Sequence, residues 1–173
     1  MMKMTLRITV LIVLCFCQGC ATNFYLQKEA GPIPVPQSRG TVFVTNPNLR
    51  KEYRIVEGSG LVRLTDNPDC PNKITLDGYK PLTMCGMPFL VSLFTLGLVP
   101  VSVPQYQDFT YTLETPDGRQ TVRFHLPVYF RYSAWEGPIG LFHSNEKTLA
   151  KALAIAAQKT DKEKPQQGGG RVR

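Results

Sequence analysis

Residues 109–131 read Phe109-Thr-Tyr-Thr-Leu-Glu-Thr-Pro-Asp-Gly118-Arg-Gln-Thr-Val-Arg-Phe-His-Leu-Pro-Val-Tyr-Phe-Arg131. Phe109, Tyr111 and Leu113 alternate with Thr110, Thr112 and Glu114. After a break, Val122, Phe124, Leu126, Val128 and Phe130 alternate with Thr121, Arg123, His125, Tyr129 and Arg131. A period of two places one set of side chains against a core and the other toward water. The break itself, Pro116-Asp117-Gly118, is turn chemistry: proline presets φ and glycine accepts positive φ. The stretch therefore predicts a long antiparallel hairpin. Pro127 has no N–H to give a ladder, so the second strand is expected to bend there or lie at an edge.

Working outward, Thr41–Thr45, Leu61–Thr65 and Lys73–Leu76 read as further short strands. Tyr53–Glu57 and Leu61–Thr65 flank Gly58-Ser59-Gly60, which predicts a second hairpin with a three-residue loop. One helix is expected near the C-terminus. Ser144 or Asn145 can cap it, Glu146 suits its first turn, and Leu149, Ala152, Leu153 and Ala156 form an apolar stripe at helical spacing. The expected fold is α+β: a mostly antiparallel β-sheet with one C-terminal helix packed on it. With 173 residues, 43% of them apolar and 19% charged, the chain suits one globular domain and excludes a disordered or collagen-like one.

The N-terminus lies outside that fold. Lys3 and Arg7 form a basic start, and Ile8–Cys17 is an apolar run broken only by Thr9. Ten residues fall well short of the roughly twenty that span a bilayer as a helix, so the run reads as the core of a signal peptide. Residues 17–20 then read Cys17-Gln18-Gly19-Cys20. This resembles the lipobox of bacterial lipoproteins, with Gly19 and Cys20 in the matching places and Cys17 and Gln18 departing from the usual residues. The resemblance implies cleavage between Gly19 and Cys20, acylation of Cys20, and an address at the outer membrane on its periplasmic side, because Ala21 rather than Asp follows the cysteine. Several acyl chains, at ~0.8 kcal/mol per buried methylene, anchor stably.

On this reading residues 1–19 are the signal peptide, 20–38 the lipidated start and a proline-rich spacer, 39–158 the globular domain, and 159–173 a disordered basic tail. Pro32, Pro34 and Pro36 alternate with Ile33 and Val35, which favours an extended path or an edge segment packed through those two side chains. Loss of Lys3 and Arg7 lowers the net charge from +7 to +5, and the tail from Lys159 holds five basic and two acidic residues. Such a tail is a solvated segment or one drawn to anionic lipid, and no nucleic acid is expected as a partner. After processing, Cys70 and Cys85 remain as a pair. In an oxidising compartment they are expected to form a disulfide, closing a loop of about 16 residues worth roughly 3 kcal/mol; two free thiols are the alternative.

No charged residue occurs from Pro81 to Gln107. Its centre, Phe89–Val103, is too short and too broken by Gly97 and Pro100 to span a bilayer. Two readings stand: a buried core strand or strand pair, or an apolar surface that meets a partner or dips into the membrane. The stretch is loosely similar to ones in small bacterial lipoproteins. Phe89, Leu93, Phe94, Leu96 and Leu98 are the candidate contacts, with Arg123 and Arg131 on the hairpin's outer face for an anionic partner.

Chemistry is sparse. His125 and His143 are not brought together by any motif, and Ser144 beside His143 is adjacency rather than a triad. Glu57-Gly-Ser-Gly60 is not a nucleophile elbow, and no P-loop, dinucleotide fingerprint, zinc spacing or calcium loop occurs. No enzyme, cofactor or metal is expected. The expected function is a lipid-anchored tether or structural component of the cell envelope with a protein partner. The alternatives are a module binding an apolar or amphiphilic molecule and, behind it, an envelope hydrolase.

Overall fold

The computed structural model describes residues 21–30, 40–78, 94–95 and 97–163. Six strands form one sheet: β1 (Ala21–Leu26), β2 (Thr41–Val44), β3 (Arg63–Thr65), β4 (Lys73–Leu76), β5 (Val101–Thr115) and β6 (Gly118–Ser133). Among the described residues three α-helices accompany them: α1 (Arg50–Ser59), α2 (Glu136–Gly140) and α3 (Asn145–Glu163). The spatial order is β1-β6-β5-β4-β2-β3.

The hairpin β5–β6 is the spine. Its register runs from Thr115 opposite Gly118 to Val101 opposite Tyr132, and Gly118 takes φ 144°, as the Pro-Asp-Gly turn predicts. Sixteen residues at about 3.3 Å each make β6 roughly 50 Å long. The lateral strands attach at opposite ends of it. β1 pairs antiparallel with Val128–Ser133 of β6, whereas β4 pairs antiparallel with Tyr111–Glu114 of β5. Beyond β4 the sheet becomes parallel, with β2 between β4 and β3 and α1 as the crossover from β2 to β3. The sheet is thus mostly but not wholly antiparallel.

Pro127 lies where its missing donor costs little. In an antiparallel ladder a residue's N–H and C=O point to the same neighbour. The Pro127 carbonyl accepts from Gln27 N–H at 3.0 Å, one residue past the end of β1, so the missing donor faces the point where β1 leaves the sheet and the β5 ladder is spared.

Three expectations need correction. The C-terminal helix is not the only one, since α1 and α2 join it. Tyr53–Glu57 is helical rather than the first strand of a hairpin. Its Tyr-Arg-Ile-Val run has strand propensity, but Glu52, Ile55, Val56 and Ser59 are buried at spacings of three and four, and that face packs on α3. Gly60, expected in a hairpin loop, instead ends the helix in the left-handed region at φ 65°. Finally, Ala21–Leu26 is a strand of the sheet, not a spacer. Phe24 and Leu26 pack on the core because β6 offers an open edge where their alternation fits. Residues 31–39, with the remaining prolines, lie outside the described residues.

The core lies between one sheet face and the helices α1 and α3. Val42, Val44, Ile74, Leu76, Phe109, Tyr111, Phe124, Leu126 and Val128 come from the strands. Ile55 and Val56 come from α1, and Leu149, Ala152, Leu153, Ala156 and Ala157 from α3. The expected stripe on α3 is therefore found, and burial extends around the helix over Ala152–Ala157. Ser144 Oγ caps it, accepting from Lys147 N–H at 3.3 Å. The helix runs to Glu163, five residues past the expected boundary; residues 164–173 lie outside the described residues. Gly58 permits the close approach of α1 and α3: a Cβ there would sit 3.1 Å from Ala150 Cβ.

Candidate functional site

At the end of the sheet where β1 starts and β6 finishes, polar side chains converge on Glu136. Asn23 and Tyr25 project from the β1 face opposite the core, as do Tyr129 and Arg131 from β6; Asn23 lies opposite Arg131, and Tyr25 opposite Tyr129. Glu136, the first residue of α2, is fully buried over them. Asn23 Nδ2 donates to Glu136 Oε2 at 2.8 Å and lies at the same distance from the Glu136 carbonyl oxygen. The Tyr25 hydroxyl donates to Oε2 at 2.7 Å. Oε1 has no hydrogen-bond partner and faces Arg131 Nε at 3.4 Å. The Arg131 guanidinium also lies 5.4 Å from the centre of the Tyr25 ring, which stacks with both Tyr129 and His143. Burial pushes the Tyr25 hydroxyl up to about 12, and its bond to the Glu136 carboxylate adds to that rise.

The outer edge of β1 is closed by side chains. Asn145 Oδ1 accepts from Phe24 N–H at 2.8 Å, and its Nδ2 donates to the Thr22 carbonyl oxygen at 3.4 Å. His143 Nε2 donates to the Phe24 carbonyl oxygen at 2.7 Å. An edge strand offers unpaired groups to any passing chain, and these side chains occupy them. His143 is thus a structural donor.

Next to this network the surface is apolar. The Gly97 carbonyl oxygen accepts from Ala134 N–H at 2.8 Å, and the Leu98 carbonyl oxygen accepts from the Trp135 indole N–H at 3.1 Å. These two bonds join the segment before β5 to the segment after β6. Phe94 (86% exposed), Leu141 (82%), Phe142 (94%) and Trp135 (56%) stand out, with Leu98 and Val99 about half exposed.

The other candidates separate. His125 Nδ1 contacts Asp108 Oδ1 at 2.5 Å and Arg123 Nε lies 3.5 Å from Asp108 Oδ2, all on the exposed face of the hairpin. Arg123 and Arg131 do share that face, but each already meets a carboxylate. The two histidines sit in different networks. A cleft of about 310 Å³ beside α1 is lined by Phe43, Arg50, Tyr53, Arg54, Glu57 and Asp66, among others, and a groove of about 600 Å³ between α1 and α3 by Arg54, Glu57, Glu146, Lys147 and Lys151. Both have mixed charge and neither contains a histidine. Among the described residues no group of His, Cys, Asp and Glu is placed to hold a metal ion. Nor is any helix long and apolar enough to cross a membrane.

Cys70 carries a buried, unbridged thiol whose Sγ lies 3.5 Å from the Thr41 carbonyl oxygen. Its expected partner Cys85 lies outside the described residues, as do Gly19, Cys20, Phe89, Leu93 and Leu96, so the expected disulfide is not found among the described residues. Of the expected apolar contacts, Phe94 and Leu98 are described, and both are exposed. Asn23, Tyr25, Trp135, Glu136, Leu141 and Phe142 escaped the sequence reading. The one signal for the last four is Trp135-Glu-Gly-Pro-Ile-Gly-Leu-Phe142, an apolar run with neither helical nor strand periodicity and a single charge.

No protein-family model matches the chain, and a search of curated proteins finds no match.

Proposed function

We propose that the protein is a lipid-anchored, non-catalytic component of the outer membrane, facing the periplasm and acting as a tether or structural element for an envelope protein partner. The observation that carries this reading is the position of β1. The residue after Cys20 is already paired in the sheet, Ala21 opposite Ser133. An acyl group on Cys20 would hold the folded body itself at the lipid surface rather than on a flexible leash. The separation of His125 from His143, and the use of His143 as a backbone donor, supports a non-catalytic role over a hydrolase.

The test is envelope fractionation with intact mass of the wild type and of Cys20→Ala. Acyl mass on an outer-membrane wild type, with an unprocessed or mislocalised variant, supports the reading. An unacylated, soluble wild type refutes it. Mild crosslinking in intact cells then asks for the partner, and absence of any enriched protein over an unrelated lipidated control refutes the tether.

A further inference from the structure

We propose that the apolar end formed by Phe94, Leu98, Val99, Trp135, Leu141 and Phe142 seats in the interfacial zone of the bilayer that holds Cys20. The proposal rests on reading Cys20 as the acylated residue. Phe94, Leu141 and Phe142 are more than four-fifths exposed, a concentration of large apolar side chains that a water-facing surface does not normally carry. What covers them follows from where the chain enters the fold. Ala21 stands opposite Ser133, two residues from Trp135, and Cys20 is one Cα step, about 3.8 Å, further on. An anchor so close brings this end of the body, and not the distal turn at Pro116–Gly118 roughly 50 Å away, against the lipid.

Charge agrees. Glu136 is the only charged residue between Ser133 and His143, and it is withdrawn completely into the network with Asn23, Tyr25 and Arg131. None of the six exposed residues carries a carboxylate, and the buried Glu136 is not accessible to repel an anionic headgroup. Tryptophan, with an apolar ring and a polar N–H, is the side chain that favours the headgroup level. Here its N–H is held by the Leu98 carbonyl oxygen at the rim of the patch. Shallow insertion of this kind needs no spanning segment.

Trp135 is the chain's single tryptophan and so reports on the patch directly. The full chain, purified from membranes, is reconstituted into vesicles of phosphatidylethanolamine and phosphatidylglycerol with or without brominated acyl chains; its intact mass is recorded in parallel. Brominated lipid is expected to cut Trp135 emission at least about two-fold, as for a ring at the acyl boundary. Acrylamide is expected to quench it less than in the vesicle-free Cys20→Ser chain. The double variant Leu141→Asp, Phe142→Asp is expected to keep its acyl mass and circular dichroism but lose the effect of bromine. Trp135 emission indifferent to brominated lipid overturns the proposal. So does a Trp135 already shielded from acrylamide in the vesicle-free Cys20→Ser chain, which would place residues 79–93 or, by sedimentation, a second copy on the patch. Bromine quenching of a wild type without acyl mass, mixed with vesicles, would retain the lipid-seeking patch and refute the anchor; acyl mass without quenching would do the reverse.

Discussion

Removing Arg131 should unfold the protein more readily than its surface position suggests. Its side chain is one-third exposed, but the carboxylate it faces is not exposed at all, with Nε 3.4 Å from Glu136 Oε1. Arg131→Met leaves Glu136 buried with two neutral donors, Asn23 and Tyr25, and no cation at Oε1. Stranding one charge of a buried pair costs about 3–5 kcal/mol, and water reaching the exposed flank of Arg131 lowers that to roughly 2–3 kcal/mol here. For a domain of this size the melting temperature should fall by roughly 5–10 °C. Glu136→Gln alone should cost about 1–2 kcal/mol, because its amide N–H₂ then faces the guanidinium, donor against donor. The double variant has neither a stranded charge nor opposed donors, so its loss should be smaller than the sum by about 1–2 kcal/mol. Thermal melts by circular dichroism of the four Cys20→Ser chains measure the cycle. A single-variant loss below about 2 °C, or additivity of the two changes, would refute the claim that Arg131 neutralises a buried carboxylate.

Other expectations follow from the same geometry. Tyr25 sits at about 12 when folded and near 10 when unfolded, so the unfolded chain loses its proton first: stability is complete below pH 10 and falls by up to about 2 kcal/mol, after allowing for solvent, as pH rises to 12. Denaturant titrations across that window should show the slope in the wild type and a flatter one in Tyr25→Phe; equal slopes would contradict it. Gly58→Val forces a side chain against Ala150, where even a Cβ would lie at 3.1 Å, and should cost about 1–3 kcal/mol by urea unfolding; a neutral result would mean that α1 and α3 are less tightly apposed. Asn145→Ala removes the bond from Phe24 N–H to Asn145 Oδ1 at the β1 edge, and hydrogen exchange at that amide should accelerate with a loss of about 1 kcal/mol. Unchanged exchange there would show the edge to be closed by something other than Asn145.

The parts legible in the sequence are those whose pattern and structure are both local. The hairpin shows period two over residues 109–114 and 121–131 with its turn chemistry between them, although β5 begins eight residues earlier, at Val101, where no such alternation announces it; α3 shows a stripe at helical spacing behind a serine cap. The α1 helix was not legible because the propensity of Tyr53, Ile55 and Val56 points to a strand, and packing on α3 outweighs it. The β1 strand was not legible because it owes its existence to the open edge of β6 more than a hundred residues later; Ala-Thr-Asn-Phe-Tyr-Leu alone carries too little alternation. The parallel pairing of β2 with β3 and β4 depends on strands only three or four residues long. At the candidate site, the sequence places Arg131 on an outer strand face, and nothing in it marks Glu136, because a lone glutamate is ordinarily exposed.

The network and the apolar end are mechanically one unit. Asn23, three residues from Cys20, holds Glu136 by both its carbonyl and its carboxylate, and Glu136 begins the helix that leads to Leu141 and Phe142. On the other side, Asn145 and His143 grip the backbone of β1 at Thr22 and Phe24 from just beyond that helix. A pull on Cys20 would thus pass into β1 and, through Asn23, into α2, as well as into the core on which Phe24 and Leu26 pack. The burial of a charged pair at this place, where an apolar core would be cheaper to fold, is consistent with a demand for orientation. Hydrogen bonds with fixed partners hold the helix at one angle to the strand, which apolar packing alone specifies less tightly. Arg131→Met should therefore weaken the bromine quenching of Trp135 in vesicles at temperatures where the rest of the fold is intact. If quenching survives until the global melt, the network supports stability alone and plays no part in presenting the apolar end to the lipid.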